Sequence, residues 1–162
     1  MTARDEVLGR IRAAIGNERT EAKPSASRYR TSSGLALDEL IALFTDRLRD
    51  YGAIVRPCAL DELGGAVGAA LLERGARRIV LPPGLDLPLP DGVDYVTDNG
   101  LSAAELDTFD GVVTRAAVAI AETGTIVLDG SPGQGRRALT LVPDYHLCVL
   151  FADQVVGLVP EA

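Results

Sequence analysis

Tryptophan is absent from the 162 residues, and aromatics as a class make up only 4%. A core so poor in rings has to be assembled from Ala, Val, Leu and Ile, which suits helices lying close on a sheet. The chain holds two cysteines, Cys58 and Cys148, and one histidine, His146. An iron–sulfur cluster takes about four thiolates and a structural zinc site about four Cys or His ligands, so this chain alone supplies neither. No metal site and no resident cofactor are expected. Both cysteines have apolar neighbours and neither belongs to a C-x-x-C pair, so they read as small buried hydrophobes in a reducing compartment. Long apolar runs are also missing: nothing approaches the ~20 residues needed to span a bilayer. The N-terminal TARDEVLGRIRAAIG has no signal-peptide core, and a cytoplasmic location without membrane association is expected. Basic residues are outnumbered, giving a formal charge of −7. That argues against nucleic acid as a partner, since phosphate-backbone binding depends on Lys and Arg.

What is present is a hydrophobic fraction of 47% in a length typical of one domain. Thr2 to Ile15 has the spacing of a short amphipathic helix, with Thr2 and Asp5 as a capping box, Val7, Leu8, Ile11 and Ile15 on one face, and Gly16 as its stop. Asn17 to Gly34 is polar and aperiodic, a linker. Residues 1–34 therefore form an N-terminal arm, and 35–162 the domain.

Within the domain, Leu37, Leu40, Ile41, Phe44 and Leu48 predict a helix over Leu35–Tyr51, ended by Gly52. Ala53–Cys58 reads as a short strand. Asp61–Arg74 reads as a helix with Leu63, Val67 and Leu71 inward, and Arg78–Leu81 as another strand. Strand, helix, strand makes a βαβ unit and sets the class as α/β with a parallel sheet. Pro82–Asp91 holds four prolines and is expected to cross the surface. Asp94–Thr97 is a strand, Asp98-Asn99-Gly100 a turn, Ser102 an N-cap, and Gly111–Thr114 a further strand.

The chemistry-bearing residues crowd into Ala116–Asp153. Ala116–Ala121 is too short for periodicity to decide between helix and strand, and Thr125–Leu128 is a strand, with Glu122-Thr123-Gly124 at the bend. A carboxylate in that place sits either at the rim of a core, as a candidate acid, base or nucleophile, or exposed on a turn; the residues favour the turn. Thr123, Gly124 and Thr125 offer hydroxyl and backbone donors to an anion. In Asp129–Arg137, DGSPGQGRR, the loop residues Ser131, Gly133 and Gly135 allow close backbone approach. Arg136 and Arg137 are of the type that clamps carboxylate or phosphate, though on an extended segment only one of the two faces a given site. The loop matches neither a P-loop nor a dinucleotide fingerprint, and a hairpin loop with solvated arginines is its commoner meaning. A single histidine beside a strand is more often structural than catalytic. Cys148 would share a strand face with His146 but has no activating motif.

The string AIAETGTIVLDGSPGQGRRALTLVPDYH, residues 119–146, resembles the signature of the LUD-domain proteins, specifically their lactate utilization protein C branch. The resemblance implies a three-layer α/β/α fold with a mostly parallel sheet, similar to the NagB/RpiA/CoA-transferase superfamily. It implies a component that works with two iron–sulfur proteins in oxidising L-lactate to pyruvate, the clusters belonging to those partners. Glu122, Thr123, Gly124, Thr125, Arg136, Pro143 and His146 fall on signature positions, and related transferases use a glutamate at such a turn as acyl acceptor, which puts Glu122 and His146 forward as catalytic. The alternative is a small-anion, sugar-phosphate or acyl-CoA binding enzyme or sensor, with a small carboxylate or phosphate as ligand. The family pattern continues with a segment like GPSRTADIE and an HGP element that have no counterpart up to Ala162. The expectation is a domain lacking that C-terminal segment, whether as a truncated product, a diverged member or a site completed by another chain, with a sheet edge that a homo-oligomer would cover.

Overall fold

A computed structural model describes residues 3–15 and 29–162. Helix α1 (Ala3–Ile15) carries no buried residue; Val7, Ile11 and Ile15 of its apolar stripe are exposed. Its expected capping residue Thr2, its stop Gly16 and linker positions 17–28 lie outside the described residues. Helix α2 (Leu37–Asp50) begins where the Glu39 carboxylate accepts from the Ala36 N–H at 2.9 Å. Helix α3 (Leu63–Arg74) ends at Gly75 in the left-handed region, with Ala76 N–H returning to Leu71 O at 2.9 Å.

Strands β1 (Arg78–Leu81), β2 (Asp94–Thr97), β3 (Gly111–Arg115) and β6 (His146–Val149) form one sheet in the order β2-β1-β3-β6, every pair parallel. The α/β class with a mostly parallel sheet is thus the observed one. Both faces are covered, which is why RIVL and GVVT read as unbroken apolar runs. Ile79, Val113 and Val149 meet Leu63, Val67 and Leu71 of α3 on one face. Val80 and Val112 meet Leu106, Phe109 and Leu139 on the other. The short helix α4 (Ala103–Leu106) supplies Leu106, and Ser102 caps it by accepting from the Glu105 N–H.

A second sheet, β5-β4-β7, is built from β4 (Val118–Ile120), β5 (Thr125–Val127) and β7 (Val155–Val156), so the middle of the Ala116–Ala121 run is strand and Ala121 already belongs to the turn. The parallel pair β3/β6 runs on as the parallel pair β4/β7. At the joint the Gln154 side chain takes over from the ladder, donating to the carbonyls of Ala116 at 2.8 Å and Ala117 at 3.1 Å. Helix α2 covers this sheet, setting Leu40 and Phe44 on Ala119, Ala121 and Val155.

Three expectations are corrected. Cys58, expected as a small buried hydrophobe, is exposed, because the segment that carries it joins no sheet. Ala53–Cys58 forms no strand and joins neither sheet, and Ile54 is 79% exposed. The βαβ unit read across α3 therefore lacks its first strand, and the parallel sheet arises from β1, β2, β3 and β6 instead. Pro82–Asp91 is not a bare surface crossing: Leu85, Leu87 and Leu89 pack on the core beside α3. The helix meets this loop through glycines, a Cβ on Gly64 lying 3.3 Å from Pro88 and one on Gly68 lying 3.2 Å from Pro90.

Candidate functional site

The connection from β1 leaves to one side, toward β2, while β3 lies on the other side of β1. In a parallel sheet this arrangement opens a crevice beyond the carboxyl ends of the strands. Here the Gly-rich loop is pinned there by two backbone bonds. Gly133 N–H donates to Pro83 O at 2.9 Å and Arg115 N–H donates to Gly133 O at 2.8 Å, one bond to each flank of the crevice. Within the loop the buried Gln134 side chain braces the Asp129 N–H at 2.7 Å. Gly135 has φ +76, and a Cβ there would lie 2.8 Å from Pro82 and press on Leu139, so only glycine lets the chain turn this close to the sheet.

Between this loop and the Asp98–Gly100 turn lies a cleft of about 400 Å³, lined by Pro83, Asp98, Gly100, Gly130, Ser131, Gly135 and Arg136. Asp98 is 5% exposed. Its carboxylate accepts from Arg136 Nε at 2.7 Å and Nη2 at 3.0 Å, and from the N–H groups of Gly100 at 3.1 Å and Leu101 at 3.0 Å. The Arg136 fork first, and then the two backbone donors, hold this carboxyl below the usual carboxylate range against the opposing effect of burial. Arg136 also donates to the Leu101 carbonyl.

Glu122 lies elsewhere, on the turn joining β4 to β5. The turn is the placement the residues favoured, and the side chain is 45% exposed. Its carboxylate pairs with Arg30, its N–H donates to Gly157 O at 3.0 Å and its carbonyl accepts from Arg47 Nε at 3.3 Å. Glu122 lines a second, smaller cleft of about 270 Å³ with Tyr29, Arg30, Leu158, Val159 and Pro160. Thr123 and Thr125 bond each other through their hydroxyls at 2.8 Å. The arm that delivers Arg30 is fastened by Glu161, whose carboxylate accepts from Ser33 N–H at 2.8 Å and from Gly157 and Leu158 N–H at 2.7 Å each.

His146 lines neither cleft. It faces the buried Thr114, whose hydroxyl is 2.7 Å from Nε2. Burial pushes its imidazole below the ordinary value. Cys148, opposite Thr114 in the β3/β6 register, is pushed up by burial, with the Thr114 hydroxyl opposing. A thiol so placed is a poor nucleophile.

The proposed residues therefore divide four ways. Ser131, Gly135 and Arg136 share the crevice cleft, with Gly133 buried beneath it as its anchor. Glu122, Thr123, Gly124 and Thr125 belong to the hairpin turn beside the second cleft. His146 belongs to the sheet face, and Arg137 opens the 3-10 turn Arg137–Thr140 with an exposed side chain that does not line the cleft. Residue reasoning missed Asp98 as the partner of Arg136, Gln134 and Gln154 as braces, and the Arg30 and Glu161 fastenings. Only Asp98 carried a signal, as the first residue of an Asp-Asn-Gly turn able to accept from its own following amides.

A mostly parallel sheet whose strand order reverses beside β1 defines an α/β protein of the open-sheet type. The comparisons give the family. The LUD domain matches residues 100–162. The chain is 45% identical over 161 residues to lactate utilization protein C of Deinococcus radiodurans, covering 98% of this chain and 74% of that protein. It is also 48% identical, with a TM-score of 0.74, to the crystal structure of a DUF162 family protein from Deinococcus radiodurans, covering 78% of this chain and 77% of that one. The chain belongs to the LUD-domain family, in its lactate utilization protein C branch. Among the described residues no helix is long and apolar enough to cross a membrane.

Proposed function

We propose that this protein serves lactate utilization in the cytoplasm, as an accessory, non-redox component of an iron–sulfur system that oxidises L-lactate to pyruvate. The observation that carries the reading is the 45% identity to lactate utilization protein C over 98% of the chain. The cysteine count supports the division of labour: two thiols fall short of a cluster's ligands, so the clusters belong to partner proteins. Deleting the gene should abolish growth on L-lactate, and the two iron–sulfur proteins should co-purify with the tagged chain. Unimpaired lactate oxidation in the deletion strain would sink the proposal.

A second reading, a small-anion, sugar-phosphate or acyl-CoA binder with a fold of NagB/RpiA/CoA-transferase type, is favoured by the cleft at the switch point. Arg136 and two loop glycines border one open space there. Glu122 and this loop line different clefts, so acyl transfer through Glu122 gains nothing from the loop donors.

A further inference from the structure

We propose that the cleft between the Gly-rich loop and the Asp98–Gly100 turn binds an organic monocarboxylate in preference to a phosphate, and that Asp98 sets this preference. The inference rests on the second reading above and narrows its ligand.

The donors come first. Of the five N–H bonds of an arginine, Arg136 spends those on Nε and Nη2 on Asp98 and the Leu101 carbonyl. The two on Nη1 have no partner among the described residues. The N–H groups of Gly130 and Gly135, both on the cleft wall, are likewise without a partner among the described residues. Two or three such donors bordering one cleft can satisfy a planar carboxylate, and backbone amides presented by glycine turns form natural anion concavities.

The charge then discriminates. Among the described residues, Asp98 and Arg136 are the only ionisable side chains lining the cleft, one of each sign. They are locked together with Asp98 ionised, so the wall is electrically neutral. A monoanion can be held by local dipoles and the spare guanidinium edge. A phosphate monoester near pH 7 carries about −1.5 to −2; it gains no net attraction and meets the Asp98 carboxylate. Pro83 supplies an apolar wall for the carbon skeleton. The volume, about 400 Å³, lies within the ~300–1,000 Å³ usual for small-molecule sites, so the acid can extend beyond a carboxyl group and its first carbons.

The test is amide NMR of the full chain at pH 7 and constant ionic strength, titrated in turn with acetate, hexanoate and inorganic phosphate. Both carboxylates should shift the Gly130 and Gly135 amides, hexanoate binding tighter than acetate, and phosphate should bind at least about tenfold more weakly than hexanoate. Arg136→Ala should weaken carboxylate binding about tenfold; if it does not fold, Arg136→Lys, which keeps a cation beside Asp98 but loses the fork, should weaken it in the same direction. Asp98→Asn should bring phosphate level with the carboxylates or ahead of them. Tighter binding of phosphate by the unaltered protein would overturn the charge preference while leaving the second reading intact. Silence of the loop amides toward every anion would overturn both. Neither result bears on growth on lactate, which tests the accessory-component reading separately.

Discussion

Asp98 and Glu122 each lie just beyond a strand, face an arginine and line a cleft, yet they hold the molecule by different means. Asp98 is almost fully buried and takes four donors, two from the Arg136 fork and two from backbone amides. The side chains of Glu122 and Arg30 are 45% and 67% exposed. One pair is a joint that ties the turn after β2 to the Gly-rich loop. The other is a surface contact, and its turn is held by main-chain bonds to Gly157 and Arg47. The lesson concerns burial. An ion pair carries structure where its loss leaves donors without water, and little where solvent replaces the partner.

Removing the buried member should have the largest effect. Asp98→Ala leaves the Gly100 and Leu101 amides and the Arg136 fork without their acceptor, and should cost about 2 kcal/mol in urea unfolding. A loss under about 0.5 kcal/mol would mean that Arg136 simply turns into solvent, and the contrast with Glu122 would collapse.

The Glu122 turn should yield to a backbone change sooner than to a charge change. Gly124 has φ +64, and a Cβ there would sit 2.8 Å from the Arg47 Cβ. Gly124→Ala should therefore cost about 1–2 kcal/mol, read from the same urea midpoint, with α2 displaced where it carries Arg47. A neutral outcome would show that the hairpin adjusts freely.

The two halves of the comparison also separate by pH. His146 has its pKa lowered by burial, so below the ordinary value of 6.5 the unfolded chain binds the proton more readily than the folded one. The stability this neutral imidazole contributes is present above pH 6.5 and is lost as pH falls from there through the folded value. Asp98 also has a lowered pKa, but its contribution is present above 3.8 and lost only as pH falls below that. Stability should decline in two steps on acidification, and His146→Gln should erase the first while leaving the second. A single decline confined to the carboxylate range would show that His146 titrates alike in both states.

Local physics made most of the elements legible. The stripe of α2, the Leu63, Val67 and Leu71 face of α3, the strands β1, β2 and β3, and the Ser102 cap all depend on residues near in sequence. The failures were long-range. Ala53–Cys58 has β-forming residues but no neighbouring strand to receive them, and Pro57 lacks an amide to offer. In the proline-rich loop the prolines exclude helix and central strand, but the leucines between them decide where it packs, and their partners on α3 and the sheet are distant in sequence. At the site, the Gly-rich loop was seen as an anion cradle, but its counter-charge lies 38 positions upstream. The grouping of Glu122 with Arg136 reflected closeness in sequence, which the hairpin β4-β5 undoes by carrying Glu122 to the second sheet.

Glu122 itself should then give the smallest response. Glu122→Gln keeps the shape of the side chain, leaves the backbone bonds of the turn in place and removes only an exposed ion pair with Arg30. It should cost less than about 1 kcal/mol, and less still in high salt. Arg30→Ala should match it, with a double-mutant coupling of the same size. Amide exchange at Ser33 should remain slow in both variants because the Glu161 fastening does not pass through Arg30. If either substitution instead freed residues 29–34 or cost as much as Asp98→Ala, the Arg30 contact would be what holds the arm on the domain, and the two carboxylates would be equivalent after all.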